Sequence, residues 1–430
     1  MPLPFVQANL VCMRQRAFSD LSFARSVRAG DSSRFGVNLA IERDALMADA
    51  REQAFKKLNL DDRTEFSIRD KWYHSHRNYP TTLVLRSLSS YIKRIENVTM
   101  PSRDSIVKGV IQTLSDATPF YVSRRDIRSF YESIPLEGLK QRLLYSAALA
   151  PNARRTLKEF FDCHCLASTH GLPRGVGLTA VLAEVVMRDY DAAVRALPHV
   201  FRYFRFADDI LIFYTQPEAD FENRLLRCLP DGMAYNPDKR EDISVSSMGK
   251  DGINKEINYL GYRFQFSDKR VPQDFREVEV SISKHKLNKL KTRAILSLKR
   301  FRADGNITLL YRRLRFITGN YKIERKGLGV TSRRRYIRSG IYYNYHLCGF
   351  YKLRRIGEAA GDDLKQLDGF LHALLSGGSS EFSLLLSQTQ FAPRQSQLRR
   401  LSFFQGYRKR LTFRFPPYQV RDIKRAWQNV

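Results

Sequence analysis

The fold is decided by the stretch Phe201-Arg202-Tyr203-Phe204-Arg205-Phe206-Ala207-Asp208-Asp209-Ile210-Leu211-Ile212-Phe213. Apolar and aromatic residues lead up to two aspartates, and a second apolar run leads away from them. This pattern predicts a β-hairpin with the two carboxylates at its turn. Adjacent like charges are costly unless they are solvated or hold a cation, and a hard cation such as Mg²⁺ prefers oxygen ligands. Asp also favours turns for local hydrogen-bonding reasons, so this stretch alone leaves a turn-only interpretation open.

Three further motifs accompany this stretch. Residues 121–134 read Tyr-Val-Ser-Arg-Arg-Asp-Ile-Arg-Ser-Phe-Tyr-Glu-Ser-Ile, which predicts a strand that runs into Asp126 and then a turn. Residues 171–179 read Gly-Leu-Pro-Arg-Gly-Val-Gly-Leu-Thr, a glycine-rich loop that leads into a predicted helix over residues 180–194. After the central hairpin, residues 258–262 read Asn-Tyr-Leu-Gly-Tyr.

In this order the four motifs resemble those of the reverse transcriptases. Asp126 with Phe130 and Tyr131 is similar to the first palm motif, residues 171–179 to the second, and residues 206–209 to the third. Residues 258–264 resemble the primer-grip hairpin of that family, and the grip itself would consist of Leu260, Gly261 and Tyr262. The resemblance implies an α+β right-hand polymerase fold with fingers, a palm that holds an antiparallel sheet, a helical thumb and a helical basic C-terminal extension.

The same resemblance divides the chain into four parts. They are an N-terminal helical extension over 1–60, fingers and palm over 61–275, a helical basic thumb over 276–375 and a basic C-terminal segment over 376–430. Within the first two parts, we expect an amphipathic helix over 42–58, a cation-bearing fingers strand over 91–98 and a helix over 105–114.

The resemblance also implies a metal site with two Mg²⁺ ions, for which Mn²⁺ is a possible substitute. Its ligands would be the carboxylates of Asp126, Asp208 and Asp209 and the backbone carbonyl of Ile127. Because 82 residues separate Asp126 from Asp208, only the fold can bring these acids together. Three carboxylates at one place repel one another unless divalent cations neutralise them. Two such ions can activate a primer 3′-hydroxyl and stabilise the leaving pyrophosphate, which Lys239 would protonate.

Other residues are candidates for nucleotide binding. Tyr131 lies five residues after Asp126, where the family carries a bulky ring that excludes ribonucleotides; a core aromatic explains the same residue. Arg174 stands beside Gly175 where most relatives have Gln, so the loop departs from the family pattern. The resemblance in spacing implies that Arg94 and Arg103 bind the triphosphate, although an exposed charged strand explains these residues nearly as well. Further departures from the family pattern are Gly177, Thr179 and Phe206.

The net charge of +29 is concentrated in two segments. Residues 281–340 hold 18 Lys and Arg against two acids, and residues 394–430 hold 10 against one acid. Lys and Arg that neutralise phosphates give salt-sensitive affinity for nucleic acid, and arginines interleaved with aromatic residues suit stacking on unpaired bases. The nucleic-acid-binding candidates are Lys284, Lys291, Arg312, Arg313, Arg333, Arg334, Arg335 and Tyr336.

Within the reverse transcriptases, the basic aromatic stretches look most like the bacterial defence-associated enzymes of the unknown groups, class 2 in particular. That resemblance implies an RNA-directed DNA polymerase that takes dNTPs, uses a structured non-coding RNA as template and partner, and makes cDNA in antiphage defence. The alternatives are a retron or group II intron-like enzyme, template-independent or protein-primed DNA synthesis, and a non-catalytic RNA-binding module.

Two absences bear on where the protein resides. No apolar run approaches the roughly 18 residues that a membrane span needs, so we expect no membrane partner. The five cysteines lack paired spacings, which favours free thiols and a reducing cytoplasm over a zinc site at Cys163-His164-Cys165. The sequence gives no indication of the oligomeric state.

Overall fold

The structure is a computed structural model. It describes residues 16–28, 30–68, 71–165, 171–245, 254–267, 275–325, 335–352, 355–356 and 361–428. The chain divides into two compact units, one of Met1–Ser102 with Phe120–Ser244 and the other of Arg103–Pro119 with Val245–Val430. The four-part division expected from the sequence stays a prediction.

Helices make up much of both units. Their bounds in chain order are α1 Asp20–Ser26, α2 Asp31–Phe35, α3 Arg43–Phe55, α4 Tyr79–Ile95, α5 Arg103–Leu114, α6 Leu136–Leu144, α7 Pro151–His164, α8 Gly177–Arg195, α9 Phe221–Cys228, α10 Lys284–Asp304, α11 Ile307–Thr318, α12 Ile341–Tyr345, α13 Gly361–Ser376, α14 Glu381–Leu386, α15 Ala392–Arg399, α16 Phe403–Arg408 and α17 Pro417–Arg425. Short 3₁₀ turns lie at Arg16–Phe18 and Pro237–Lys239.

The strands form four sheets. Their bounds are β1 Arg63–Ile68, β2 Lys71–His76, β3 Phe120–Asp126, β4 Val200–Phe206, β5 Asp209–Tyr214, β6 Glu241–Val245, β7 Asn254–Tyr259, β8 Tyr262–Ser267, β9 Val278–Ile282, β10 Asn320–Arg325, β11 Arg335–Gly340, β12 Gly349–Lys352, β13 Arg355–Ile356 and β14 Thr412–Arg414. The chain is therefore a mixed α/β protein with antiparallel sheets and many helices.

The first unit is built on a four-stranded sheet of order β4-β5-β3-β6, beside the two-stranded hairpin β1-β2. Strand β5 is central, and Ile210, Leu211, Ile212 and Phe213 are completely buried in it. This explains its continuous apolar run, because a strand covered on both faces needs apolar side chains at every position. The strand β3 lies antiparallel to it, so the predicted central hairpin and the strand that ends at Asp126 are both confirmed.

The helix α4 corrects one expectation from the sequence. Residues 91–98 were expected to form a strand, but α4 continues to Ile95 and the following Asn97 adopts a left-handed backbone with φ of 51°. Asn78 precedes the helix, and its side chain caps the helix by accepting a hydrogen bond from the Thr81 amide. The apolar residues over 91–95 continue a helical spacing that starts near residue 83, and a window beginning at residue 91 contains only its last turn.

The second unit holds a five-stranded sheet of order β13-β12-β9-β8-β7 and a three-stranded sheet of order β11-β10-β14. The strands β7 and β8 are joined at Leu260-Gly261, where both residues have positive φ, so the predicted second hairpin is confirmed. Long basic helices were expected beyond residue 270. The helices α10 and α11 confirm that expectation, although strands are interspersed among them.

Candidate active site

The acids of the first unit meet because of strand register. Asp126 is the last residue of β3 and pairs with Asp209, the first residue of β5. On its other side Asp209 pairs with Phe206, so Ala207 and Asp208 form the two-residue turn between β4 and β5. The backbone amide of Ile127 donates to the carbonyl of Asp208 at 3.0 Å, which ties this turn to the end of β3. The fold therefore places three aspartates at one edge of the sheet.

The turn itself has a strained backbone. Ala207 has a φ of 56°, a left-handed conformation that costs about 1–2 kcal/mol for a residue with a Cβ. Strained backbone of this kind persists where the surrounding structure holds it, and it is frequent at functional sites. Part of that support is a hydrogen bond from the Arg205 guanidinium to the Ala207 carbonyl at 3.1 Å.

Arg205 is a buried arginine that sequence reasoning missed. Its guanidinium donates to two acids of α8. The bonds to the carboxylate oxygens of Asp191 are 2.7 and 2.8 Å long, and those to the oxygens of Glu184 are 3.0 and 2.6 Å long. Burial alone would lower the pKa of Arg205, but the bonds to Asp191 and Glu184 raise it, so the group stays charged. The two acids lie seven residues apart, so they are two turns apart on one face of the helix. This spacing is the one feature of the sequence that could have indicated a buried cation near them.

The three aspartates differ in their electrostatic surroundings. Burial, and then the charge of Asp126, raises the pKa of Asp208 above its ordinary value. Burial also raises the pKa of Asp209, and the neighbouring Arg124 guanidinium opposes that shift. Both carboxylates are therefore costly to keep ionised, which is the condition that a bound divalent cation relieves.

Two cations already compensate part of this charge. The Lys239 Nζ lies 2.9 Å from Asp126 Oδ2, so the predicted lysine does reach the acid cluster. Arg124 donates through Nε at 3.1 Å and Nη2 at 3.4 Å to the two oxygens of Asp209. Arg124 was not predicted. It lies two residues before Asp126, so the strand places both side chains on the same face, and that spacing could have indicated it.

The carboxylates at the β4–β5 turn supply oxygen atoms, the kind of ligand that Mg²⁺ prefers. Asp126 and Asp208 offer oxygen ligands at one edge of the sheet, while Asp209 is engaged by Arg124. Among the described residues, no group of three or more His, Cys, Asp and Glu side chains is already gathered for metal binding. The two-ion site, the Ile127 carbonyl ligand and Mn²⁺ as a substitute therefore stay predictions.

The predicted sugar-selecting Tyr131 lies near the acids. It is half-buried, and its pKa is raised by burial and then by the charge of Asp208. The guanidinium carbon of Arg174 lies 5.2 Å from the centre of the Tyr131 ring. Gly175 follows Arg174 with a φ of 93°, and a Cβ there would meet the carbonyl oxygen of His74. Tyr131, Arg174 and Gly175 therefore share one neighbourhood in the first unit.

The other predicted nucleotide and primer residues are divided between the two units. Arg94 is exposed on the last turn of α4, with its guanidinium over the Tyr91 ring at 5.7 Å, and it borders a cavity of about 550 Å³ with α1. Arg103 belongs to the second unit. There its guanidinium donates to the carbonyl of Leu260 at 2.8 Å and lies 4.6 Å from the ring of Tyr262. Arg103 therefore supports the predicted primer-grip hairpin, and its role in binding a triphosphate stays a prediction.

The predicted nucleic-acid-binding residues belong to the second unit. Lys284 is exposed at the start of α10, and Lys291 and Arg312 are partly exposed. Arg313 is a correction: it is 2% exposed on the apolar face of α11, so its guanidinium does not reach the surface of the unit. Of the remaining candidates, Arg333 and Arg334 lie outside the described residues, and Arg335 and Tyr336 are described only as part of strand β11.

A buried row of imidazoles lies elsewhere in the first unit. The His164 Nδ1 is 3.0 Å from His74 Nδ1, and its Nε2 is 2.9 Å from His76 Nε2. Beyond it, His76 Nδ1 is 3.3 Å from a carboxylate oxygen of Asp62. Because that carboxylate only accepts, His76 donates to it, His164 donates to His76, and His74 donates to His164. Since opposite nitrogens of His164 face the two partners, the three rings do not converge on one point. The neighbouring Cys163 and Cys165 form no disulfide.

Comparisons with known proteins give little beyond this geometry. No family model matches the chain, and no curated protein matches it. Among solved structures, apo telomerase from Candida tropicalis, truncated from its C-terminal domain, has 11% identity and a TM-score of 0.30 over 46% of this chain and 44% of that one. Telomerase from Candida albicans in complex with a fragment of telomeric RNA has 13% identity and a TM-score of 0.32 over 80% and 53%. The chain spans about half the length of these telomerases, and the likeness is too slight to carry an argument.

Among the described residues, no helix is long and apolar enough to cross a bilayer.

Proposed function

We propose that the protein is an RNA-directed DNA polymerase, a nucleotidyltransferase of the reverse transcriptase type. The observation that supports this most strongly is the register that sets Asp126 beside Asp209, with Asp208 in the adjoining turn. Acids 82 residues apart in sequence meet at one sheet edge, beside a lysine, in the order of motifs that the family carries. If the turn had only a structural role, there would be no need for β3 to place the Asp126 carboxylate beside those of Asp208 and Asp209.

In the proposed reaction a primer 3′-hydroxyl gives up its proton to water and its oxygen attacks the α-phosphorus of a dNTP, the bond to the bridging oxygen breaks, and pyrophosphate leaves. Asp126 and Asp208 would hold Mg²⁺, which when bound supplies Lewis-acid stabilisation of the developing charge. Arg124 keeps the Asp209 carboxylate in place at the edge of the sheet. The Lys239 ammonium is half-exposed and can donate a proton to the leaving pyrophosphate at its Nζ.

We further propose that the template is a dedicated structured non-coding RNA, that the product is cDNA and that the role is antiphage defence in a bacterial cytoplasm. The support is the resemblance to class 2 of the unknown groups, together with the positive charge over 281–340 and 394–430. Phosphate contacts from so many cations should make RNA affinity fall steeply with salt.

The test is incorporation of labelled dNTPs by the full chain purified with its bound nucleic acid. We expect Asp126→Asn and Asp208→Asn each to lose at least about a thousandfold in rate, which is about 4 kcal/mol of transition-state stabilisation. The matched control is Asp44→Asn, because the Asp44 side chain is 98% exposed on α3 and far from the described cluster in sequence.

Pretreatment with ribonuclease separates the remaining functions. Loss of incorporation after RNA removal, with recovery when the co-purified RNA is added back, supports RNA-directed synthesis. Incorporation that survives ribonuclease without any template would indicate template-independent or protein-primed synthesis. A wild-type chain that binds RNA but incorporates no nucleotide with Mg²⁺ or Mn²⁺ would leave only an RNA-binding module.

A further inference from the structure

The loop that carries Arg174 is fixed at both ends to neighbouring backbone. At one end the Leu172 amide donates to the carbonyl of Tyr131 at 2.7 Å, and at the other the His74 amide donates to the carbonyl of Arg174 at 2.8 Å. Gly171 begins the loop with a φ of 73°, and a Cβ there would meet the carbonyl oxygens of Tyr131 and Glu132. Such close backbone approach leaves the loop little freedom to shift Arg174.

The Arg174 side chain is committed to a single acid. Its Nε donates to Glu132 Oε1 at 2.5 Å and its Nη2 to Glu132 Oε2 at 2.9 Å, so the guanidinium and the carboxylate form a bidentate pair. Burial alone would raise the pKa of Glu132, but the hydrogen bonds and charge of Arg174 lower it, so the acid is ionised. With 17% of its side chain exposed, Arg174 is partly shielded from solvent.

This pair holds the Tyr131 ring. The guanidinium carbon lies 5.2 Å from the ring centre on one side, and the Phe130 ring meets Tyr131 nearly edge-on at 5.1 Å. A cation over an aromatic face is attracted by the ring quadrupole, and a planar guanidinium can stack there while its edge stays bonded to a carboxylate. The Glu132 carboxylate thus fixes Arg174, and Arg174 fixes the ring.

We infer that the Glu132–Arg174 pair is a positioning device that sets the discrimination between deoxyribonucleotides and ribonucleotides by holding the Tyr131 ring. The inference rests on the proposed polymerase function. Arg174 acts through Tyr131 and needs no contact with the nucleotide, which differs from the triphosphate or sugar contact that its place in the sequence suggests. Because a bulky ring excludes a 2′-hydroxyl only while it keeps its place, release of the ring should admit ribonucleotides.

The test measures kcat/KM for each dNTP and its matching NTP with the full chain and its bound RNA. Arg174→Gln and Glu132→Gln should each lower the deoxy-to-ribo ratio by about tenfold, the equivalent of a partly desolvated cation–π contact. Arg174→Lys keeps the positive charge without the planar guanidinium, so its deoxy-to-ribo ratio should lie between those of the wild type and Arg174→Gln. The exchange Glu132→Arg with Arg174→Glu keeps the ion pair but moves the cation, so it should not restore the ratio. Thermal melts identify any variant that fails to fold.

A double-mutant cycle identifies action through the ring. Tyr131→Val should lower the ratio most, and adding Arg174→Gln to it should lower the ratio no further. The inference is overturned if both Gln variants keep the wild-type ratio, or if Arg174→Gln raises KM equally for both sugars while Glu132→Gln does not. The polymerase proposal survives either result, because incorporation itself persists. A wild-type chain that incorporates nothing overturns both.

Discussion

The buried imidazole row should make the first unit sensitive to mild acid. Burial, and then the charges of His76 and His74, lowers the pKa of His164 from 6.5 to about 2. The pKa of each of those two partners is also lowered by burial. In the folded unit His164 is therefore neutral at pH 5, while in the unfolded chain it is protonated below its ordinary value. The unfolded state therefore binds more protons below pH 6.5. The free energy of unfolding is highest above about pH 6.5 and decreases as the pH is lowered from there towards about 2.

The magnitude follows from the two pKa values. Between pH 7.5 and 5.5 a histidine that titrates at 6.5 only in the unfolded state costs the folded state about 1.4 kcal/mol. Carboxylates titrate mostly below this window, so they contribute little to the change. His74 and His76 act in the same direction, and the loss for the whole unit should therefore exceed that of His164 alone.

The assay is urea unfolding followed by tryptophan fluorescence at the two pH values. The chain has two tryptophans, so a Trp427→Phe background leaves Trp72 as the reporter. Trp72 lies on β2, the strand that carries two of the three histidines. In that background His164→Gln should reduce the pH-dependent loss by about 1.4 kcal/mol. The control is His199→Asn, since this histidine is exposed and Asn tolerates its φ of 64°.

An unchanged loss in His164→Gln, or a unit that gains stability on acidification, would refute the assignment of neutral buried imidazoles.

Two further predictions concern the arginines beside the acids. Arg205→Met should destabilise the first unit by about 3–5 kcal/mol, because it leaves two largely buried carboxylates of α8 without their cation. Arg202→Met on the same strand is the exposed control, and equal urea midpoints for the two variants would contradict this role of Arg205. Arg124→Ala should tighten Mn²⁺ binding, measured by titration calorimetry, by about tenfold because Asp209 loses its neutralising partner. Unchanged or weaker Mn²⁺ affinity would mean that Asp209 takes no part in the metal site.

Local patterns were enough to predict the elements that carry the site. The aspartates between two apolar runs predicted the β4–β5 hairpin, and the glycine-rich loop predicted α8, because each signal lies within one short window. The hairpin at Leu260-Gly261 was predicted through the resemblance, and its glycine supplies one of the two positive φ angles that the turn requires. Strand register was not local, and only the resemblance suggested that Asp126 would meet the other acids.

The partners of the arginines could not be predicted in the same way. Arg124 and Arg125 are adjacent in sequence, yet the strand turns them to opposite faces. Arg124 meets Asp209 at the acid cluster, while Arg125 is buried and donates to Asp242 at 2.8 Å and to Glu222 at 2.8 Å. These acids lie 85 to 117 residues away in sequence, and no window on the sequence links them to the arginines.

The pairing of charges explains why one acid stands apart from the others. Lys239 compensates Asp126, and Arg124 compensates Asp209, each through a short hydrogen bond. For Asp208, burial and the charge of Asp126 raise the pKa and outweigh the distant cations. A carboxylate whose pKa is raised in this way, next to the strained Ala207, costs stability that a neutral residue would not cost, and such costs are retained where function needs them. Asp208 is therefore the carboxylate that a bound divalent cation would stabilise most. Among the described residues, ion pairs already engage Asp126 and Asp209, and a cation at Asp208 would displace neither of them.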